Sequence, residues 1–295
     1  MSFKVSIIIP CYNEEDNLKD FYCGIKKTLL ELPYSYEIIF VNDGSNDNSS
    51  NLLDEIKTKD NTVKAINLAK RNGQLNAYLA GFDYAKGEII ITMDADGQHE
   101  PNDISAFIKK INAGFDFVSG HRVDRKDPFY RKALSLIASY LISAKVRIKL
   151  HDWGCGFNAF NRNLIFSPKT YKQNKIFLIK PLLASMANSV GEINIAHYPR
   201  QKGNSKYNIL SIIKCGLKFL LNGAVNQGEG KMRKTQIGCI LLIMFIFSSI
   251  NNLKAEPINK NEVKNEAITA FTQYCLALRL EDYDWAFSLE PRFIQ

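Results

Sequence analysis

The sequence predicts an α/β fold, a mostly parallel sheet flanked by helices, with amphipathic, membrane-associated helices on its carboxyl-terminal side. Three observations carry that prediction. From Lys4 to Ser119 short apolar runs alternate with longer amphipathic stretches, the rhythm of parallel strands joined by crossover helices. Clusters of turn-forming polar residues follow three of the apolar runs, at the strand ends where sheets of this kind bind ligands. Beyond Gly120 a basic segment, Arg122 to Arg131, leads into a stretch rich in Leu, Ile, Ala and Ser.

The elements follow in order. Lys4–Ile9 is the first expected strand, and Glu37–Val41, Val63–Asn67, Glu88–Met93 and Phe115–Ser119 are the others. Most are rich in Ile and Val, as strands buried on both faces should be. Between them Glu15–Leu32, Asn48–Lys59, Gly73–Lys86 and Pro101–Ala113 read as helices. In the last, Ile104, Phe107, Ile108 and Ile111 share one face, and Pro101 takes the first turn, where its missing N–H costs nothing. Two later helices are expected, one running to about Leu150 with Lys132, Lys145, Arg147 and Lys149, the other at Ile209–Leu221 with Lys214 and Lys218 set apart from a broad apolar face. Both fit helices lying on a membrane surface, and core packing accounts for the periodicity equally well.

A chain of 295 residues is long enough for one sizeable core and a smaller appendage. Its formal charge of +8 favours anionic partners: nucleic acid, phosphorylated substrates or the inner face of a membrane. Charge alone does not choose among them. Cys11, Cys23, Cys155, Cys215, Cys239 and Cys275 show no C-x-x-C spacing, so reduced thiols are expected rather than a zinc site or a disulfide framework. Ser2 to Pro10 runs directly into an apolar strand with only Lys4 before it, so no signal peptide is expected at this end and the amino-terminal domain is expected to stay in the cytoplasm.

Three turns hold the candidate chemistry. Asp94-Ala95-Asp96, followed by Gln98, follows an apolar strand and offers oxygens suited to Mg²⁺ or Mn²⁺, hard ions that bridge to substrate phosphates. Asp43 ends another strand and could accept hydrogen bonds from a base N–H, while Pro10, Tyr12 and Glu14 could form a pocket for base and ribose. Each cluster alone is ordinary turn chemistry. Their joint occurrence at strand ends argues for a site.

The series Ile8-Ile9-Pro10-Cys11-Tyr12-Asn13-Glu14, Val41-Asn42-Asp43-Gly44-Ser45, Asn72-Gly73-Gln74 with Ala77 and Gly81, and Asp94-Ala95-Asp96-Gly97-Gln98-His99 resembles the family 2 glycosyltransferases in order and spacing, over roughly Ser2 to Leu221. The family form has a second Asp where this chain has Asn42. The resemblance implies a Rossmann-like GT-A fold with a divalent metal at the Asp-x-Asp region. Ser119-Gly120-His121-Arg122, Arg131 and Arg200-Gln201-Lys202-Gly203-Asn204-Ser205-Lys206-Tyr207 are similar to the dolichyl- and polyprenyl-phosphate mannosyl- and glucosyltransferases. By that resemblance Pro10, Tyr12, Glu14, Val41 and Asp43 hold the nucleoside. Asp94, Ala95, Asp96 and Gln98 hold the diphosphate and metal, and Arg122, Arg131, Arg200 and Lys206 the phosphates. His121 stands where the family often has Ser and reads as a surface residue. Asp152 to Phe160 resembles the family's Asp-x-x-x-Gly-Phe stretch, with Asn158 replacing a common Arg or Lys.

What the resemblance implies is an inverting transfer of a hexose from a nucleotide-diphosphate sugar to a polyprenyl or dolichyl phosphate, with mannose from GDP-mannose and glucose from UDP-glucose leading and aminosugars behind. The expected catalytic set is Asp94, Asp96, Arg122 and Arg131, and the expected metal set Asp94, Asp96 and Gln98. The expected location is the cytoplasmic face of a bacterial inner membrane, peripheral or held by a single anchor. A family 2 enzyme acting on a glycan or lipid hydroxyl is the nearest alternative, and a non-catalytic truncated remnant the other. The lack of a Gln-x-x-Arg-Trp motif weighs against a processive polysaccharide synthase, and no reader motif for nucleic acid is present.

Three regions are expected: a catalytic domain over 1–225, a linker with an apolar signal-like or transmembrane segment over 226–255, and a truncated helical tail over 256–295. Met232-Arg233-Lys234-Thr235, the apolar run Ile237–Ile250 and Ala255-Glu256-Pro257 have the layout of a secretory signal peptide. The run is short of the about 20 apolar residues a spanning helix needs. Asn265 to Leu289 resembles the opening helices of small exported domains of the nuclear-transport-factor-2-like type, so a second reading frame joined near Met232 is expected.

Overall fold

The structure is a computed structural model, and it describes residues 4–123, 129–165 and 178–199. All of these lie in the unit Met1–Gly230, and the second unit, Lys231–Gln295, lies wholly outside the described residues. So do the expected helix Ile209–Leu221, the signal-like run, and both Arg200 and Lys206.

The chain alternates as its apolar pattern dictates: β1 (Val5–Cys11), α1 (Glu15–Leu30), β2 (Tyr36–Asn42), α2 (Ser49–Lys59), β3 (Val63–Asn67), α3 (Gln74–Tyr84), β4 (Ile89–Thr92), α4 (Ile104–Asn112) and β5 (Phe117–Arg122). Then follow α5 (Phe129–Val146), β6 (Asn158–Asn161), α6 (Ile179–Met186) and β7 (Val190–Ile195). The seven strands form one sheet in the order β3-β2-β1-β4-β6-β5-β7. Only β6 runs antiparallel to its neighbours, pairing Thr92 with Asn158 on one side and Ser119 with Asn158 on the other. The mostly parallel sheet flanked by helices is therefore the expected fold, with β6, β7 and α6 added to it.

Alternation along the strands divides the core in two, because successive side chains point to opposite faces. Ile7, Ile9, Ile38, Phe40 and Ile91 pack with Leu18, Ile25, Leu53 and Phe107 on one face. Ile8, Ile39, Val41, Ile90 and Phe160 pack with Leu79, Phe82, Ile142 and Leu183 on the other. Full burial of each such side chain is worth about 1.5–3 kcal/mol, so both layers hold the sheet rigid beneath the site. Gly81 lets α3 lie close on the sheet, since a Cβ there would run into Ile8 and would come within 3.3 Å of Val41 Cγ2.

At the amino-terminal end of the strands the buried carboxylate of Glu37 accepts from Ser6 Oγ, Lys64 Nζ and the Lys86 backbone N–H, each at 2.6 Å. Burial pushes its pKa up, and the three hydrogen bonds outweigh that and hold it below the ordinary 4.5. Among the described residues no helix is long and apolar enough to cross a membrane. Along α5 and the residues after it, Leu136 is an exposed apolar side chain and Lys149 an exposed cation.

Candidate functional site

The site is built from the carboxyl ends of β1, β2, β4 and β5. After β1 the chain turns through Asn13, which takes a left-handed conformation (φ 53°), accepts from the Asn46 N–H at 3.0 Å and donates its own N–H to Ser45 Oγ at 2.9 Å. Glu14 is buried at the start of α1, accepting from Asn17 Nδ2 at 2.7 Å. The Tyr12 ring lies under the Arg71 guanidinium, 4.2 Å from its centroid, so Tyr12 and Arg71 present a paired aromatic and cationic surface.

Asp43 ends β2 and reaches across to the turn before α3. Its carboxylate accepts the Asn72 N–H at 2.7 Å and the Gly73 N–H at 2.9 Å. Gly44, at φ 68°, leaves no room for a Cβ, which would sit 2.5 Å from the Lys70 carbonyl carbon. Val41, in β2, is fully buried on the face covered by α3. Asn42 accepts from the Ser45 N–H at 3.0 Å and donates its amide to Asn67 Oδ1 at 2.9 Å. A carboxylate at 42 has no proton to donate to Asn67, so the amide at this departure from the family pattern is matched to its neighbour.

Asp94 and Asp96 follow β4 with the buried Ala95 between them. Asp94 Oδ1 accepts from Gln74 Nε2 at 2.7 Å, and Gly156 lies so close on this carboxylate that an added Cβ would stand 2.6 Å from Asp94 Cγ. Asp96 accepts the Gln98 N–H at 3.1 Å. Gln98 pairs with Tyr198 through both backbone and side chain, its carbonyl accepting the Tyr198 N–H at 3.0 Å and its amide donating to the Tyr198 carbonyl at 3.1 Å. His99 is buried against Phe157 and His197, with ring centroids 5.7 Å away in each case. Burial pushes its pKa down to about 4 against the pull of Asp96, so the ring is neutral, and its Nδ1 has no hydrogen-bond partner among the described residues.

Arg122, at the end of β5, is gripped by Asp152 in a bidentate pair, Nε to Oδ2 at 2.7 Å and Nη2 to Oδ1 at 2.9 Å. The side chains are 14% and 3% exposed. Desolvation works against the guanidinium charge, but the Asp152 hydrogen bonds overcome it and raise the pKa, with Asp94 adding to the effect. Gly154 lies against Arg122, where an added Cβ would stand 3.1 Å from Nη2, so the same short loop covers both Arg122 and Asp94. Arg131 falls in α5 by its backbone, and its side chain lies outside the described residues. His121 stacks on His151, with ring centroids 5.2 Å apart.

Two further residues belong to this site. Asp152, the Asp of the Asp-x-x-x-Gly-Phe stretch, is the partner of Arg122. Lys180 is buried in α6 and donates to the carbonyls of Asp152 at 2.7 Å and Cys155 at 3.3 Å. A lone cation inside the apolar run Phe177–Met186 is the signal that marks it.

The donor set suits a hard divalent cation. It consists of oxygens only, and among the described residues no three His, Cys, Asp or Glu side chains converge on one point. Such a site fits an ion held by one or two carboxylates together with substrate phosphates.

A seven-stranded α/β sheet with β6 reversed and an Asp-x-Asp turn after β4 defines a nucleotide-sugar transferase fold of the GT-A kind. The chain belongs to glycosyl transferase family 2, whose pattern matches residues 6–166. The undecaprenyl-phosphate 4-deoxy-4-formamido-L-arabinose transferase of Proteus mirabilis strain HI4320 is 37% identical over 212 residues, 71% of this chain and 64% of that protein. The protein of the same name from Pseudomonas fluorescens strain Pf0-1 is 35% identical over 211 residues, 71% of this chain and 62% of that protein. The chain thus spans less than two thirds of these curated relatives. Glucosyl-3-phosphoglycerate synthase from Mycobacterium tuberculosis, solved with Mn²⁺, uridine diphosphate and phosphoglyceric acid, superposes with a TM-score of 0.51 at 16% identity, covering 74% of this chain and 76% of that one. That likeness is one of fold.

Proposed function

We propose that this chain transfers a sugar, with inversion, from a nucleotide-diphosphate sugar to a polyprenyl or dolichyl phosphate at the cytoplasmic face of a membrane. The observation that carries this reading is that Asp94 and Arg122, at the carboxyl ends of β4 and β5, are joined by the 152–156 loop, whose Gly154 lies against Arg122 and whose Gly156 lies against Asp94. Two relatives named for transfer to undecaprenyl phosphate support the choice of acceptor.

In this reading Pro10, Tyr12, Glu14, Val41 and Asp43 form the nucleoside pocket, with buried Val41 shaping its floor. Carboxylate oxygens each accept more than one hydrogen bond, so Asp43 can hold the Asn72 and Gly73 amides and still receive a base N–H. Asp94, Ala95 and Asp96, with Gln98 beside them, take the diphosphate end. A divalent cation, Mg²⁺ or Mn²⁺, bound through Asp94 and Asp96 would neutralise charge on the departing diphosphate. Arg122, Arg131, Arg200 and Lys206 complete the phosphate-binding set. Arg122 enters it already charged and oriented, because Asp152 fixes its plane. A phosphate acceptor is an anion at neutral pH and needs no strong general base, unlike a sugar hydroxyl. The helix after Arg122 and the residues that follow it, with Leu136 and Lys149 exposed, support docking at an anionic membrane surface.

The sequence expectation of mannose or glucose gives way in this reading to the sugar the relatives are named for, 4-deoxy-4-formamido-L-arabinose. The test is a panel of radiolabelled nucleotide sugars, including GDP-mannose, UDP-glucose and a nucleotide-linked 4-deoxy-4-formamido-L-arabinose, offered with undecaprenyl phosphate and a soluble sugar acceptor side by side. Label extracted into the lipid phase in a Mg²⁺- or Mn²⁺-dependent manner is expected. Label on the soluble sugar alone overturns the lipid-phosphate reading.

A further inference from the structure

We propose that Lys180 is a positioning residue of this transferase, clamping the 152–156 loop onto Asp94 and Arg122. The inference rests on the proposed function for the meaning of Asp94 and Arg122, and on separate observations for the clamp.

Lys180 sits among Leu183, Ala184 and Pro181 on the buried side of α6. A buried ammonium is expensive unless its donors are used. Here both observed hydrogen bonds go to backbone carbonyls of one loop, those of Asp152 and Cys155. The charged and titratable groups that surround the ammonium are Cys155 and Asp152 of the loop, Arg122 of β5 and Glu192 of β7. Asp152 spends its carboxylate on Arg122 and on the Gly154 N–H at 3.0 Å. The ammonium is therefore not half of a simple ion pair. It fixes the path of a stretch that has no helix or strand of its own.

That path matters at both ends. Asp152 at the start of the loop orients Arg122. Gly156 at its end lies against the Asp94 carboxylate too closely for a Cβ, and its carbonyl accepts from Thr92 Oγ1 at 2.9 Å at the end of β4. Moving the loop by a fraction of an ångström alters the cover of Asp94 and the plane of Arg122 together. Lys180 donates its two hydrogen bonds to the loop backbone and to neither of these side chains, which makes its role positional.

The test uses the full chain and calorimetric titration with Mn²⁺ and inorganic pyrophosphate, a readout independent of turnover. Lys180→Met is expected to weaken pyrophosphate binding by about 10–100-fold, the scale on which groups behind metal ligands act, while a cooperative unfolding transition persists. Should Lys180→Met fail to fold, Lys180→Gln, whose amide still donates to one carbonyl, carries the comparison. Gly156→Ala displaces the loop without touching Lys180, so the double variant Lys180→Met with Gly156→Ala should bind no more weakly than the weaker-binding single variant. A folded Lys180 variant with wild-type affinity, or effects of the two substitutions that add, overturns the proposal. Wild-type protein that binds pyrophosphate but labels no lipid phosphate counts against the proposed function, while the affinity comparison still decides the role of Lys180.

Discussion

The side-chain amide of Gln74, in the first turn of α3, donates a 2.7 Å hydrogen bond to the Asp94 carboxylate at the end of β4. One residue earlier, the Gly73 N–H is held by Asp43 at the end of β2. The start of α3 therefore ties the strand end assigned to the nucleoside to the strand end assigned to the diphosphate. Gln74→Leu keeps the size of the side chain and removes the donor. It should weaken activation by Mn²⁺ by about 10–100-fold, the effect of losing a partner behind a metal ligand, and cost only about 1 kcal/mol of stability. Metal titrations of activity and urea unfolding on the same variant check both halves.

Asp96→Ala addresses the cation directly. The side chain belongs to the turn after β4 and not to a strand, and the Gln98 N–H it accepts lies in that same turn, so its removal should leave the sheet intact. Transfer should fall by at least about 100-fold, as when one preorganised charge-stabilising group is lost. Undiminished activity at saturating Mg²⁺ would remove the cation from the reaction.

Asp152→Ala leaves the Arg122 guanidinium buried without its carboxylate. Breaking such a pair costs about 3–5 kcal/mol of folding stability, and the exposures of 14% and 3% put this pair in that regime. Arg122→Met combined with Asp152→Leu should restore much of the stability but no transfer. Equal unfolding midpoints for Asp152→Ala and the wild type would show that the pair contributes nothing to the fold.

Strands such as β1 and β2 are legible because Ile7, Ile8, Ile38 and Ile39 are buried on both faces, and that demand writes an apolar run into the sequence. The strand-end positions of Asp43, Asp94 and Asp96 follow from the same runs. β6 is not legible, since Asn158-Ala159-Phe160-Asn161 carries two residues that ordinarily mark turns. Asn158 is tolerated there because its amide donates to Thr92 Oγ1 and the Cys155 carbonyl, both at 3.3 Å, partners set by the tertiary fold. β7 is hidden similarly, an edge strand diluted by Gly191, Glu192 and Asn194. The partners that orient the candidate site, Gln74 for Asp94 and Asp152 for Arg122, lie 20 and 30 residues away, and no local pattern encodes such a pairing.

Acid sensitivity should originate at the opposite end of the sheet, in Glu37. Its folded pKa lies below its ordinary 4.5 because hydrogen bonds from Lys64, Ser6 and the Lys86 N–H outweigh the burial that pushes it up. A carboxylate with a depressed folded pKa binds fewer protons when folded than when unfolded. It therefore contributes stability that is fully present above 4.5 and is lost as the pH falls through the folded value. Asp60, whose pKa is also held down, adds to the same trend through Lys26 at 2.6 Å. Glu37→Gln removes the charge that Lys64 and the Lys86 N–H face, so it should lower stability at neutral pH and flatten the decline on acidification. Urea midpoints measured from pH 7 downward on both proteins check this. Parallel curves, with the variant as acid-sensitive as the wild type, would show that another carboxylate controls the acid transition.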